Sequence, residues 1–80
     1  LEQAKNITPA QIRAARGLLG FSQETLAHAA GVSSMSVKRA EGSGKPQAAA
    51  AVMTAIRAAF EAAGVEFIPQ NGGGPGVRLR

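Results

Sequence analysis

The chain predicts a mainly α-helical fold: four to five short helices followed by two short β-strands. Three observations carry that prediction. One helix-start grammar recurs three times before residue 40. An apolar stripe at steps of three and four runs through residues 53–63. The hydrophobic period then changes after Gly64.

Thr8 stands where an N-cap belongs, Pro9 takes the first helical position, and Gln11 sits at the partner position of a capping box. Ile7 and Ile12 flank that cap at the spacing of a hydrophobic staple. The grammar returns with Ser22 between Phe21 and Leu26, and again with Ser33 between Val32 and Val37. These starts predict helices over residues 9–19, 23–30 and 34–41. Ile12, Ala15 and Leu19 form the inner stripe of the first helix, which Gly20 ends in a left-handed turn. Gly42-Ser43-Gly44 breaks the chain and Pro46 opens a fourth helix over 47–63, stopped by Gly64. Its Met53, Ile56, Phe60 and Ala63 share one face, and its many alanines favour helix by propensity.

Beyond Gly64, Val65-Glu66-Phe67-Ile68 and Val77-Arg78-Leu79-Arg80 read as strands. The Gly/Pro-rich connection between them is longer than the usual hairpin loop of about 2–5 residues. The strands pair either with each other or with a second chain. A lone two-stranded ribbon is marginal in water, so a sheet shared between two subunits is the favoured arrangement. The expected organisation is a domain over 1–64 and a C-terminal β extension over 65–80 that serves dimerisation.

Residues 23–41, QETLAHAAGVSSMSVKRAE, have the spacing of a helix-turn-helix, in which two helices cross steeply through a tight turn and the second enters the DNA major groove. Ala27 lies where the helices come closest, Gly31 occupies the turn where a positive φ is easiest for glycine, and Leu26, Ala30, Val32, Val37 and Ala40 face the shared core. Residues 34, 35, 38 and 39 fall on the opposite, outer face.

Over residues 8–46 the chain resembles the Xre/Cro-type DNA-binding domain of phage repressors and many small bacterial regulators. The resemblance is carried by Arg16, the stretch Phe21-Ser22-Gln23-Glu24-Thr25-Leu26-Ala27, Gly31-Val32-Ser33, Val37 and Glu41. Residues 64–68 and the later Gly-Gly-Gly-Pro-Gly are similar to the tail of small single-domain members. The resemblance implies a repressor-like helix-turn-helix fold and assigns roles. Gln23 touches phosphate and braces the recognition helix. Ser34, Met35 and Arg39 read base edges. Lys38 and Lys45 lie near the DNA backbone. Arg16 and Glu41 tie the first helix to the end of the third. Apart from the resemblance, Ser33 and Ser36 join the expected DNA-facing set, the Ser36 hydroxyl being able to donate or accept to base or phosphate. Ala40, where the family has a larger aliphatic, and the loose Gly42-Ser43-Gly44 depart from the pattern. Dimers of such proteins bind two-fold symmetric operators, so the expected partners are double-stranded DNA and a second copy, joined through the fourth helix and the strands.

Composition agrees. Eighty residues make one small domain, which buries only about 60–65% of its unfolded surface, so a partner subunit would help. The net charge of +4 and the pI near 10.8 suit a polyanion, although many soluble domains carry such a charge and bind none. There is no cysteine, hence no disulfide framework and no thiolate metal site, as in a reducing cytoplasm. No apolar run approaches the roughly 20 residues of a membrane span, and no signal peptide is read in the chain, whose first residue is a leucine and not a methionine. His28 is the single histidine and can build neither a metal site nor a triad alone. Gly72-Gly73-Gly74 lacks the Lys-Ser or Lys-Thr of a phosphate loop. The glutamates are scattered, and Phe21, Phe60 and Phe67 read as core. The expected protein is therefore no enzyme and needs no cofactor. It is a cytoplasmic, sequence-specific DNA-binding regulator. The alternatives are an antitoxin that also binds a toxin and a protein-binding module without DNA binding.

Overall fold

The computed structural model describes residues 7–42, 48–69 and 74–80. Six elements follow in order: α1 (Pro9–Leu19), α2 (Gln23–Ala30), α3 (Ser34–Ala40), α4 (Ala50–Ala62), β1 (Val65–Ile68) and β2 (Gly76–Leu79). The first three helices begin as their caps dictate. Thr8 accepts the Gln11 N–H while the Gln11 side chain accepts the Thr8 N–H, a complete capping box. Ser22 accepts from the Thr25 N–H, and Ser33 from the Ser36 N–H. Gly20 and Gly31 close α1 and α2 at φ 69° and 70°, where a side chain would be strained.

Several boundaries differ from expectation: α4 ends at Ala62 rather than Ala63, and β2 runs Gly76–Leu79 rather than from Val77 to Arg80. α3 ends at Ala40, and Glu41 is its C-cap rather than its last residue. α4 begins at Ala50, because Ala48 and Ala49 are not helical, and Ala49 caps it without a side-chain bond. The expected opening of that helix at Pro46 and Gln47 lies outside the described residues, as do Lys45 and the Gly72-Gly73 pair.

One apolar cluster joins every layer: Ile12 and Ala15 from α1, Leu26 and Ala27 from α2, Val37 and Ala40 from α3, Ile56 and Phe60 from α4, and Val65 and Phe67 from β1. Phe60 is its centre. Its ring stacks 6.4 Å from Phe21 and meets Phe67 edge-on at 6.0 Å. Burying a side chain of this size stabilises by about 1.5–3 kcal/mol. The α4 stripe is therefore used inside the chain through Ile56 and Phe60, with Met53 packed against them, whereas Ala63 is exposed as the helix C-cap.

The two strands pair with each other, antiparallel, in the register Val65↔Leu79, Glu66↔Arg78, Phe67↔Val77 and Ile68↔Gly76. This replaces the sheet shared between two subunits. The ribbon is not alone: β1 packs against α4 and β2 against α1, with Val65 and Phe67 buried. Its mouth is also pinned. Gln11, already engaged in the capping box, donates from Nε2 to the carbonyls of Ile68 (3.2 Å) and Gly76 (2.9 Å).

Candidate functional site

α2 and α3 are joined by residues 31–33. The turn is closed by the Val32 N–H donating to the Ala27 carbonyl at 3.0 Å. Ala27, Val37 and Ala40 are buried where the helices meet the core, so a longer side chain at Ala27 would have to displace its neighbours. A Cβ at Gly31 would meet nothing within 4 Å. Gly31 is therefore required by its positive φ, not by space.

With Val37 and Ala40 turned inward, α3 shows the other side to solvent. Met35 is 54% exposed, Lys38 is exposed, and Ser34 and Arg39 are half-buried. Ser33 and Ser36 are engaged with each other: the Ser33 hydroxyl accepts the Ser36 N–H and donates to the Ser36 hydroxyl, both at 3.0 Å. Ser34 and Lys38 line a polar notch of about 280 Å³ with Ser22, Gln23 and Glu24 from the start of α2. Lys45, the remaining DNA-facing expectation, lies outside the described residues.

Glu41 fixes the far end of α3. Its carboxylate accepts from Arg16 Nε at 2.6 Å and Nη2 at 3.2 Å, and from Gln23 Nε2 at 3.0 Å. Its side chain is only 3% exposed. The third Arg16 nitrogen donates to the Phe21 carbonyl at 3.0 Å. Arg13 Nη1 donates to the Glu41 carbonyl at 2.7 Å. One residue thus gathers α1, α2 and α3. The Gln23 amide is thereby tied to the carboxylate of the residue that caps α3.

The charges are sorted. Arg16, Arg57 and Arg78 each pair with a glutamate, at Glu41, Glu61 and Glu66. Arg13, Lys38, Arg39 and Arg80 have no such carboxylate among the described residues; the first three lie on α3 or against its end, and Arg80 follows β2. On the hairpin, the hydrogen bond from Arg78 and then its charge hold the Glu66 carboxyl below the usual range, and the same bond holds Arg78 above its own.

Sequence reading missed Arg13 and the second task of Gln11. For Arg13 a signal existed: it lies three residues before Arg16 and so on the same side of α1. Among the described residues no group of three or more His, Cys, Asp or Glu could hold a metal ion, and no helix is long and apolar enough to cross a membrane.

No family model matches the chain, and no curated protein matches it. The fold and site define a class in coarse terms, a mainly α domain of four helices closed by a short antiparallel hairpin.

Proposed function

We propose that this chain is the sequence-specific double-stranded-DNA-binding domain of a small bacterial transcription regulator of the Xre/Cro type, with α3 in the major groove. One observation carries the reading. α3 buries Val37 and Ala40 while its opposite side keeps Met35 uncovered and leaves Lys38 and Arg39 without a carboxylate partner among the described residues. Arg39 is suited to grip guanine O6 and N7 with two hydrogen bonds, and Met35 to lie against a thymine methyl. Ser34 adds a contact of low selectivity. Lys38 lines the notch with Ser22, Gln23, Glu24 and Ser34, and its charge, with the N–H groups of a helix start nearby, suits a backbone phosphate. Direct contacts this sparse leave groove shape and half-site spacing to supply further specificity.

Such a protein acts as a homodimer on a two-fold operator. With the apolar stripe of α4 used in the core, the contact we propose is its outer side, where Ala51, Thr54, Ala58 and Ala62 are exposed and uncharged, together with Leu79 on β2, 51% exposed.

Binding measured on a selected site and on mixed-sequence DNA tests the reading. Arg39→Ala is expected to weaken the selected site by about 5- to 100-fold with little effect on mixed DNA. Lys38→Ala is expected to weaken both and to flatten the salt dependence. No effect from either change would exclude α3 as the reading helix.

A further inference from the structure

Resting on the DNA-binding reading above, we infer that Arg13 of α1 is a second phosphate anchor, held against the C-cap of α3. Its position comes from one hydrogen bond. Nη1 donates at 2.7 Å to the carbonyl of Glu41, the C-cap of α3. That bond aims the guanidinium at the α3 terminus without neutralising it, since a carbonyl carries only a partial charge. Arg13 is exposed, and it has no other hydrogen bond and no ion pair among the described residues.

The contrast with Arg16, one turn along, is instructive. Arg16 is 24% exposed and all three of its nitrogens are bonded, two of them to a carboxylate. Arg16 is structural in every atom, whereas Arg13 is tethered by one nitrogen and keeps its remaining donors for a ligand. A planar guanidinium with free donors on one edge suits a phosphate oxygen pair.

The scale of the duplex gives that ligand a place. A seven-residue helix is about 10 Å long, and the major groove is about 12 Å wide between its phosphate walls. Lys38 lies in the last turn of α3 and Arg13 is tethered at its C-cap, so the two cations share that end of the helix. The Glu41 carbonyl fixes Arg13 before binding, so little side-chain freedom is lost on contact.

Affinity of the full chain for a short mixed-sequence duplex, measured between about 50 and about 200 mM salt, tests this. Arg13→Gln keeps a donor for the Glu41 carbonyl and removes the charge; Arg13→Lys keeps the charge; Arg78→Ala removes a charge from the hairpin. The expected result is a salt slope lower by about one for Arg13→Gln, with weaker binding at low salt. Arg13→Lys should recover most of the slope, and Arg78→Ala should leave it unchanged. An unchanged slope in Arg13→Gln with tight wild-type binding overturns the Arg13 assignment and leaves the DNA reading intact. An equal drop in Arg78→Ala reduces the effect to net charge and also overturns it. A wild-type chain that binds no duplex removes the DNA reading itself.

Discussion

Arg16 grips Glu41 with two nitrogens, at 2.6 and 3.2 Å, and the two partners are unequally buried: 24% of the arginine side chain is exposed against 3% of the glutamate. The inequality sets the cost of breaking the pair from each side. Arg16→Ala leaves a buried carboxylate with the Gln23 amide as its remaining side-chain donor, and removing one partner of a buried pair costs about 3–5 kcal/mol. Glu41→Ala leaves an arginine that can reach water and should cost about 1–2 kcal/mol. Denaturant unfolding of both variants checks the order. Equal or reversed values would contradict the burial argument.

Gln11 separates two roles cleanly. Glu at this position can still accept the Thr8 N–H, so the capping box survives. It cannot donate to the Ile68 and Gly76 carbonyls, and it sets a carboxylate against both. Gln11→Glu should lower stability by about 1–3 kcal/mol. Faster hydrogen exchange should appear first in the hairpin amides and not in the first turn of α1. Uniform loss of protection in both would contradict a separate hairpin tie.

Two glycines should respond in opposite directions. Gly17 lies inside α1 and a Cβ there meets nothing within 4 Å, so Gly17→Ala should stabilise by about 0.5–1 kcal/mol. Gly31 has equal space but a φ of 70°, so Gly31→Ala should destabilise by about 1–2 kcal/mol. Thermal unfolding of the pair reads both signs at once.

What the sequence disclosed follows the range of the forces involved. The caps at Thr8, Ser22 and Ser33 and the glycines at 20 and 31 act within a few residues, and α1 and α2 begin and end where those signals stand. α4 has no side-chain cap, and in a run of alanines no residue marks its start. The hairpin was legible as two strands whose pairing stayed open between the chain itself and a second copy, because the contacts that support it are distant in sequence: Gln11 holds carbonyls 57 and 65 residues away. At the candidate site, the inward Val37 and Ala40 and the outward Met35 and Lys38 were readable from helical period alone. Glu41 was legible as a partner of Arg16. Its simultaneous hold on Gln23 and Arg13 needed the three helices in place.

The hairpin pair gives a pH dependence of known sign. Glu66 is lowered by the hydrogen bond and charge of Arg78, which stays protonated throughout. A carboxyl depressed in the folded state contributes stability that is full above the ordinary glutamate value, about 4.3, and is lost as pH falls through the lowered folded value. The gap in melting temperature between wild type and Glu66→Gln should narrow from about pH 6 to about pH 3. Both groups are exposed, so the gap itself should be small. A gap that widens on acidification would contradict the assignment.

The most direct measurement is selection of duplexes bound by the full chain from a random pool, with Arg39→Ala selected in parallel. The expected product is two half-sites related by two-fold symmetry, with centres about 10 base pairs or a multiple of that apart. Each should carry a guanine preference that disappears with Arg39→Ala. A pool that shows no enrichment, or one that both chains enrich identically, would contradict α3 as the helix that reads DNA.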